Sequence, residues 1–433
     1  MKVTTHFALW LFGLARAETQ TSDLERACLA RHATAGAGPQ LPRVCFIVES
    51  GTDVRMVEGM AEHFELSILA RKIEGGAEIN HPPASRVETI VGPASRAAFA
   101  RTVLAYLFRR SREFDHVIVQ GYGLAALAAN LAAGMTAVPT TMLVCSPVEA
   151  YYRCRVDNPI DGKTFRRREL AALRLIARLN ALIGTRYIVL SRHLRDAVRS
   201  HGNRRPIEII PIYGVDTSAF SPSSESRDII RARRGLPANG SLILFSSRIA
   251  PEKDHETLLT AVRLMIASGR DIWLLNRSGG YRSLLERARR ADVANRLIAT
   301  EAVDPRLELP DDYRCADVCV QASREEGLGF SVLEAMACGA PVVAADVGGL
   351  RETVLEGRTG WLYPPGDAPA LARTIAAVLD NPGEASQRAT AACKFVQENF
   401  ASDAVFARLS EVVRQSVQSR RGRASRNPAG QSC

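Results

Sequence analysis

Residues 323–347 read SREEGLGFSVLEAMACGAPVVAADV. The apolar run DVCVQ (317–321) leads into this segment, two glutamates and two glycines follow, and an apolar helical pattern begins near Phe330. Strand, loop and helix in that order form the repeating unit of a parallel sheet. Gly327 and Gly329 allow close approach to the backbone, and the free N–H groups ahead of the helix favour an anion. Glu326 and Glu334 place one carboxylate in the loop and the other a turn into the helix. They are spaced to accept hydroxyls from two ends of an elongated ligand. Helix capping with one solvated glutamate fits the same spacing.

Outward from this unit the alternation continues in both directions. Before it come LILFS, DIWLLN and LIAT, separated by TLLTAVRLMIAS and YRSLLERARR; after it come PVVAA and ALARTIAAVL. A second series occupies the first half, with strands RVCFIV, LSILA, VETIV, HVIVQ, TTMLV, YIVL and IEIIP. Helical stretches VRMVEGMAEHF, SRAAFARTVLAYLFRR and RRRELAALRLIARLNALI lie between them. The polar break GVDTSAFSPSS (214–224) separates the two series. A chain of 433 residues exceeds one hydrophobic core. The expected class is therefore α/β, with two Rossmann-like doubly wound domains facing across a cleft. Ligands bind beyond the carboxyl ends of such strands.

Two further strand ends carry candidate groups. In SSRIAPEKDHETLL (246–259), Arg248 and Lys253 flank a Pro-containing loop ahead of a helix. An arginine fork and a lysine point charge suit a diphosphate, although two solvated loop cations are the plainer reading. In VESGTDVRMVEG (48–59), the first strand enters a turn at Ser50-Gly51-Thr52. No G-x-G-x-x-G, phosphate-loop lysine motif or Asp-x-Asp occurs, which removes a dinucleotide fingerprint, a P-loop and an obvious carboxylate seat for a metal.

Composition narrows the class. The chain is 46% hydrophobic and 24% charged, with mean hydropathy −0.05, as in a soluble globular protein. Net charge is +10 and is unevenly placed: residues 41–205 carry 24 basic and 15 acidic side chains, residues 206–385 carry 20 and 25. No recognition motif accompanies the charge, so nucleic acid is not an expected partner. Nine cysteines without C-x-x-C spacing read as reduced thiols of a cytoplasmic protein. Residues 7–17, FALWLFGLARA, end like a signal cleavage site, but Arg16 breaks the apolar run and Lys2 stands alone before it. A signal, a docked helix and an over-extended start all fit. The tail 419–433 is basic, polar and expected to be disordered.

The segments EEGLGFSVLEAMACGAPVVAADVGGLRETVLEGRTGWLYPPGD (325–367), SRIAPEKD (247–254), IIPIYGVDTSAFSP (209–222) and DDYRCADVCVQAS (311–323) resemble the donor-binding half of glycosyltransferase family four. That resemblance implies the GT-B fold and a retaining transfer from a nucleotide-sugar donor, with neither cofactor nor metal. It implies that Glu326 lies near the donor sugar and Glu334 holds the ribose. Arg248 and Lys253 would bind the diphosphate, with Gly51, Gly327 and the amides of Gly329, Phe330 and Ser331 completing the anion site. Domains are expected at 41–215 for the acceptor and 216–385 for the donor, with a helix 386–418 packing back and residues 1–40 as an extension.

This chain departs from the family pattern at three places. The first loop lacks paired glycines. Cys145, followed by Ser146, stands where many members have a histidine. Glu301-Ala302 replaces a glycine after LIAT.

On the acceptor side, the loop 146–162 is expected to form a lip where Tyr151 and Tyr152 stack on sugar or are simply buried. The arginine-rich helices 95–112 and 163–183 fit either an anionic membrane or a solvated face. The expected function is a glycosyltransferase acting on a glycan, lipid-linked or small-molecule acceptor, cytoplasmic or peripheral on the inner membrane face. The alternative is a catalytically silent GT-B partner subunit of a polysaccharide or glycolipid assembly.

Overall fold

A computed structural model describes residues 41–73, 87–157, 166–278, 280–304 and 306–425; the extension 1–40, with its expected signal or docked helix, lies outside the described residues. The first sheet contains β1 (Arg43–Val48), β2 (Glu65–Arg71), β3 (Val87–Gly92), β4 (His116–Gln120), β5 (Thr140–Val144), β6 (Arg186–Val189) and β7 (Ile207–Ile209). The second contains β8 (Ser241–Leu244), β9 (Ile272–Arg277), β10 (Leu297–Thr300), β11 (Val318–Gln321), β12 (Val342–Ala345) and β13 (Trp361–Tyr363). Their orders are β3-β2-β1-β4-β5-β6-β7 and β10-β9-β8-β11-β12-β13, and the pairs are parallel. Both are the doubly wound order, with the chain reversing direction across the sheet between β1 and β4 and between β8 and β11.

Central strands are buried on both faces because helices cover both. TTMLV of β5 and VVAA of β12 are buried throughout, whereas the edge strands β3 and β10 are largely half-buried. The edge strand β13 is only three residues long, WLY, too short to show a strand period in the sequence.

The chain passes between domains twice, and the crossings pair. Val215 donates its N–H to the Phe400 carbonyl at 2.7 Å, and Ser402 donates to the Val215 carbonyl at 2.9 Å. Gly214 is obligatory here: its φ is +56°, and a Cβ would lie 2.9 Å from Ser402 Cα. The expected helix 386–418 is two helices broken at Ala401. Pro382–Phe400 packs on Phe330–Ala337 of the half expected to bind the donor, and only Ser402–Ser425 packs on the half expected to bind the acceptor, against helix Val54–His63.

Two local expectations are corrected. The acceptor lip 146–162 is not a loop at its start: Val148–Asp157 is helical, and residues 158–162 lie outside the described residues. Tyr151 anchors that helix by being buried. The basic tail is not disordered from 419, because the last helix runs to Ser425 and Arg420 donates to the Phe114 carbonyl at 3.4 Å.

Candidate active site

The groups expected to carry chemistry meet where β8 and β11 end. Lys253 lies in a short 3₁₀ turn, Pro251–Lys253, after β8. Its ammonium donates to Glu326 Oε2 in a buried ion pair. The same oxygen accepts from Ser323 Oγ at 3.1 Å and Gln321 Nε2 at 3.3 Å. Glu326 Oε1 accepts from the Tyr151 hydroxyl of the acceptor domain at 3.3 Å. One carboxylate oxygen is thus saturated by its own domain while the other faces the opposite one. Burial pushes the Tyr151 phenol well above its ordinary value, with the Glu326 charge adding to it, so it stays a neutral donor.

The loop that presents Glu326 is held by backbone nesting. Gly349 donates to the Glu326 carbonyl at 2.9 Å, and a Cβ on Gly349 would sit 2.6 Å from the Gly327 carbonyl carbon. Gly329 has φ +95°, which turns the chain into helix Phe330–Ala337. The first intrahelical bonds start from Val332 and Leu333, both to the Gly329 carbonyl. The Phe330 and Ser331 amides therefore stand ahead of the ladder, at the positive end of the helix. The Ser331 hydroxyl itself bonds Gln321 Oε1 at 3.0 Å.

Arg248 sits at the rim. Its side chain is 60% exposed and meets Glu252 Oε1 at 2.9 Å. Glu252 is fully buried and also accepts from Arg155 of the acceptor domain at 3.0 Å. Burial pushes its carboxyl up, but the Arg155 hydrogen bond and the charges of Arg155 and Arg248 outweigh that and hold it below the ordinary range.

Glu334 is buried one turn into the helix. Oε2 accepts from Tyr313 at 2.9 Å, and Oε1 accepts from Arg55 Nη1 of the acceptor domain at 2.7 Å. Arg55 also forks onto Asp53 at 3.0 and 2.8 Å and lies 5.0 Å from the centroid of the Tyr213 ring, which stacks on Phe330 at 4.1 Å. Gly51, φ +84°, makes the turn that precedes Asp53.

The acceptor candidates separate. A Cβ on Gly327 would lie 2.9 Å from the Cys145 carbonyl oxygen, so Cys145 borders the Glu326 loop, with Ser146 next along the chain. Tyr151 enters the site. Tyr152 turns away, its hydroxyl bonding Glu169 and lying 3.3 Å from the Arg166 carbonyl oxygen. Around them the domains grip one another. Ser191 donates to the Gly327 carbonyl at 2.6 Å, and Glu352 accepts the amides of Arg192 and His193 at 2.9 and 2.7 Å. His193 Nε2 lies 2.7 Å from Glu325, off the hydrogen-bonding line, and that contact raises its pKa.

Sequence reasoning missed Arg55, Asp53, Tyr213, Tyr313, Gln321 and the Arg155–Glu252 pair. Only Asp53, an N-cap residue, left a local signal. A cavity of 940 Å³ opens beside Ser241, Asp317 and Pro341, at the opposite end of the donor strands, and none of the expected site residues lines it. Among the described residues no three His, Cys, Asp or Glu side chains converge to hold a metal, and no helix is long and apolar enough to cross a membrane.

Residues 226–395 match the family described as glycosyl transferases group 1. The chain is 30% identical over 370 residues to D-inositol 3-phosphate glycosyltransferase of Xylanimonas cellulosilytica, covering 81% of this chain and 85% of that one. It is 30% identical over 317 residues to GDP-mannose-dependent alpha-(1-6)-phosphatidylinositol monomannoside mannosyltransferase of Mycolicibacterium smegmatis, covering 64% and 82%. Sucrose-phosphate synthase of Thermosynechococcus elongatus superposes with a TM-score of 0.72 at 20% identity, over 87% of this chain and 100% of that one. That likeness shows the GT-B fold.

Proposed function

The chain belongs to the glycosyl transferases group 1 family, and on that premise we propose that it is a retaining, metal-independent enzyme moving a sugar from a nucleoside-diphosphate donor. One observation carries the reading: Glu326 is buried between Lys253 and Tyr151, beside the open N-terminus of helix Phe330–Ala337 and facing the acceptor domain.

Departure of a nucleoside diphosphate develops negative charge that must be met by fixed groups. Lys253, Arg248 and the Phe330 and Ser331 amides supply them, the amides reinforced by the helix dipole. Glu326 Oε1 accepts from the donor sugar, and Glu334 accepts from the ribose. The leaving phosphate takes the acceptor proton, so no separate protein base and no cofactor is required. The GDP-mannose dependence of the mycolicibacterial relative supports a nucleotide donor.

A panel of UDP-, GDP- and ADP-sugars, with Glu326→Ala beside the wild type, tests this. Turnover of one donor, with retained anomeric configuration by NMR and no loss in chelator, is expected. If no donor is bound or turned over, and the variant is indistinguishable, the chain is the silent partner subunit instead.

The acceptor is a glycan, a lipid-linked sugar or a small molecule, met on the cytoplasmic side. A specific surface favours peripheral membrane contact. The neighbouring helices Arg96–Arg110, Leu124–Thr136 and Arg167–Ile183 expose Phe108, Leu131, Met135, Leu175 and Leu182. The exposed Arg109, Arg112, Arg167, Arg168 and Arg178 lie on the same helices or just beyond them. Apolar side chains among arginines suit an anionic interface. Sedimentation with phosphatidylglycerol vesicles is expected to capture the protein at low salt and release it at high salt. No capture at low salt removes this surface from the reading.

A further inference from the structure

We propose that Arg55, contributed by the acceptor domain, is a positioning residue of the donor site that holds Glu334 as an acceptor for the ribose hydroxyls. The inference rests on the reading of Glu334 given above. Within its own domain the buried Glu334 carboxylate meets the Tyr313 hydroxyl; the charge that balances it, Arg55, crosses from the other domain at 2.7 Å. A buried carboxylate left without its cation is strongly disfavoured.

Arg55 is itself fixed from two sides. Its Nε and Nη2 are committed to Asp53, and Asp53 caps helix Val54–His63 through the Arg55 amide at 2.9 Å. Its guanidinium lies over the Tyr213 ring, and Tyr213 has φ +56° in the segment that joins the two domains. A non-glycine residue in the left-handed region is held there by its surroundings, here by the stack on Phe330. Nη1 is thereby aimed at Glu334 Oε1. A carboxylate has about four lone-pair sites. Arg55 and Tyr313 fill two, which leaves room for a vicinal diol.

The groups facing Glu334 are Arg55, Asp53, Tyr313, Tyr213 and Cys338. Burial pushes the last three above their ordinary values, so they stay neutral through mildly acidic and mildly alkaline pH. Burial holds the Glu334 carboxyl above its ordinary value, and Arg55, by charge and hydrogen bond, is the largest group opposing the rise, with the Tyr313 hydrogen bond helping it. The ribose site is therefore shared between domains and incomplete without the acceptor half.

Calorimetric titration of the full chain with UDP, GDP and ADP, on wild type, Arg55→Met, Arg55→Lys and Glu334→Gln, tests this. Arg55→Met is expected to weaken the nucleotide that wild type binds by about ten- to hundredfold. Relative to wild type at each pH the loss should deepen as pH falls, because protonation removes the Glu334 acceptor and Arg55 is no longer there to oppose it. In turnover the loss appears in the donor KM, with kcat changed by no more than about threefold. Arg55→Lys keeps the charge and is expected to recover part of the affinity and the wild-type pH profile. Wild-type affinity in Arg55→Met overturns the inference, as does a loss in Arg55→Lys equal to that of Arg55→Met at wild-type melting temperature. If Arg55→Met does not fold, the Lys variant decides alone: intermediate affinity with the wild-type pH profile supports the inference, and wild-type affinity or a loss relative to wild type that deepens as pH falls overturns it. Unchanged affinity in Glu334→Gln instead overturns the ribose role of Glu334, and the two failures are thereby distinguished.

Discussion

Glu326→Gln is expected to lower kcat by roughly 10²–10³-fold while nucleotide binding persists. The substitution keeps the shape and removes the charge. Its Oε2 position now receives Lys253, Gln321 and Ser323 together, three donors converging on one oxygen. An amide has one oxygen and one NH₂, so either its nitrogen faces those donors or its nitrogen replaces Oε1 at the cleft. In the first case donors oppose one another around a buried ammonium; in the second the sugar loses its acceptor. Lys253 also loses its counter-ion, so thermal stability should fall as well. Initial rates and a melting curve on the same preparation check both parts. A kcat within about twofold of wild type would sink the assignment of Glu326 to the reacting end of the donor.

Gly349→Ala is expected to cost about 1–3 kcal/mol of stability and roughly two orders of magnitude in rate, although Gly349 has no side chain to offer a substrate. Its added Cβ would overlap the Gly327 carbonyl and lie 2.7 Å from Leu328 Cα, both main-chain neighbours that have no rotamer to change. Relief requires moving the loop 325–329, and with it the Gly349 N–H bond to the Glu326 carbonyl. Displacement by an ångström at Glu326 is enough to spoil its alignment. Gly134→Ala serves as the control, since a Cβ at that helical position meets nothing within 4 Å and alanine favours helix. Equal melting temperatures and rates for Gly349→Ala and wild type would show that the nesting does not set the loop.

The donor half was readable because its chemistry is local in sequence. Glu326, Gly329 and Glu334 fall within one strand–loop–helix unit, so spacing alone puts them at one sheet end. Lys253 lies after the neighbouring strand β8, and the doubly wound order brings it beside β11 without further information. Spacing singled out Glu326 and the resemblance to family four put it near the donor sugar; the structure shows how it differs from its neighbour Glu325. Glu325 faces His193 of the acceptor domain, while Glu326 turns inward to Lys253.

The acceptor half was less readable. Segment 146–162 has too few apolar residues to show a helical period, and its helix is pinned by Tyr151 and by Glu149, which meets His201 at 2.6 Å and Arg174 at 2.9 Å. Tyr151 and Tyr152 are adjacent and chemically alike. Successive positions on a helix point about 100° apart, so one enters the site and the other leaves it.

From the sequence alone came the α/β class, the two doubly wound series and the donor unit, because period, glycine placement and capping act over a few residues. Only the tertiary structure decided that Arg55 faces Glu334 across 279 positions, that Tyr151 meets Glu326 across 175, and that Arg155 shares Glu252. Those pairings depend on how two separately folded sheets dock. A hydrogen bond or close ion pair needs its partners within about 3–4 Å, a distance that separation along the chain does not encode.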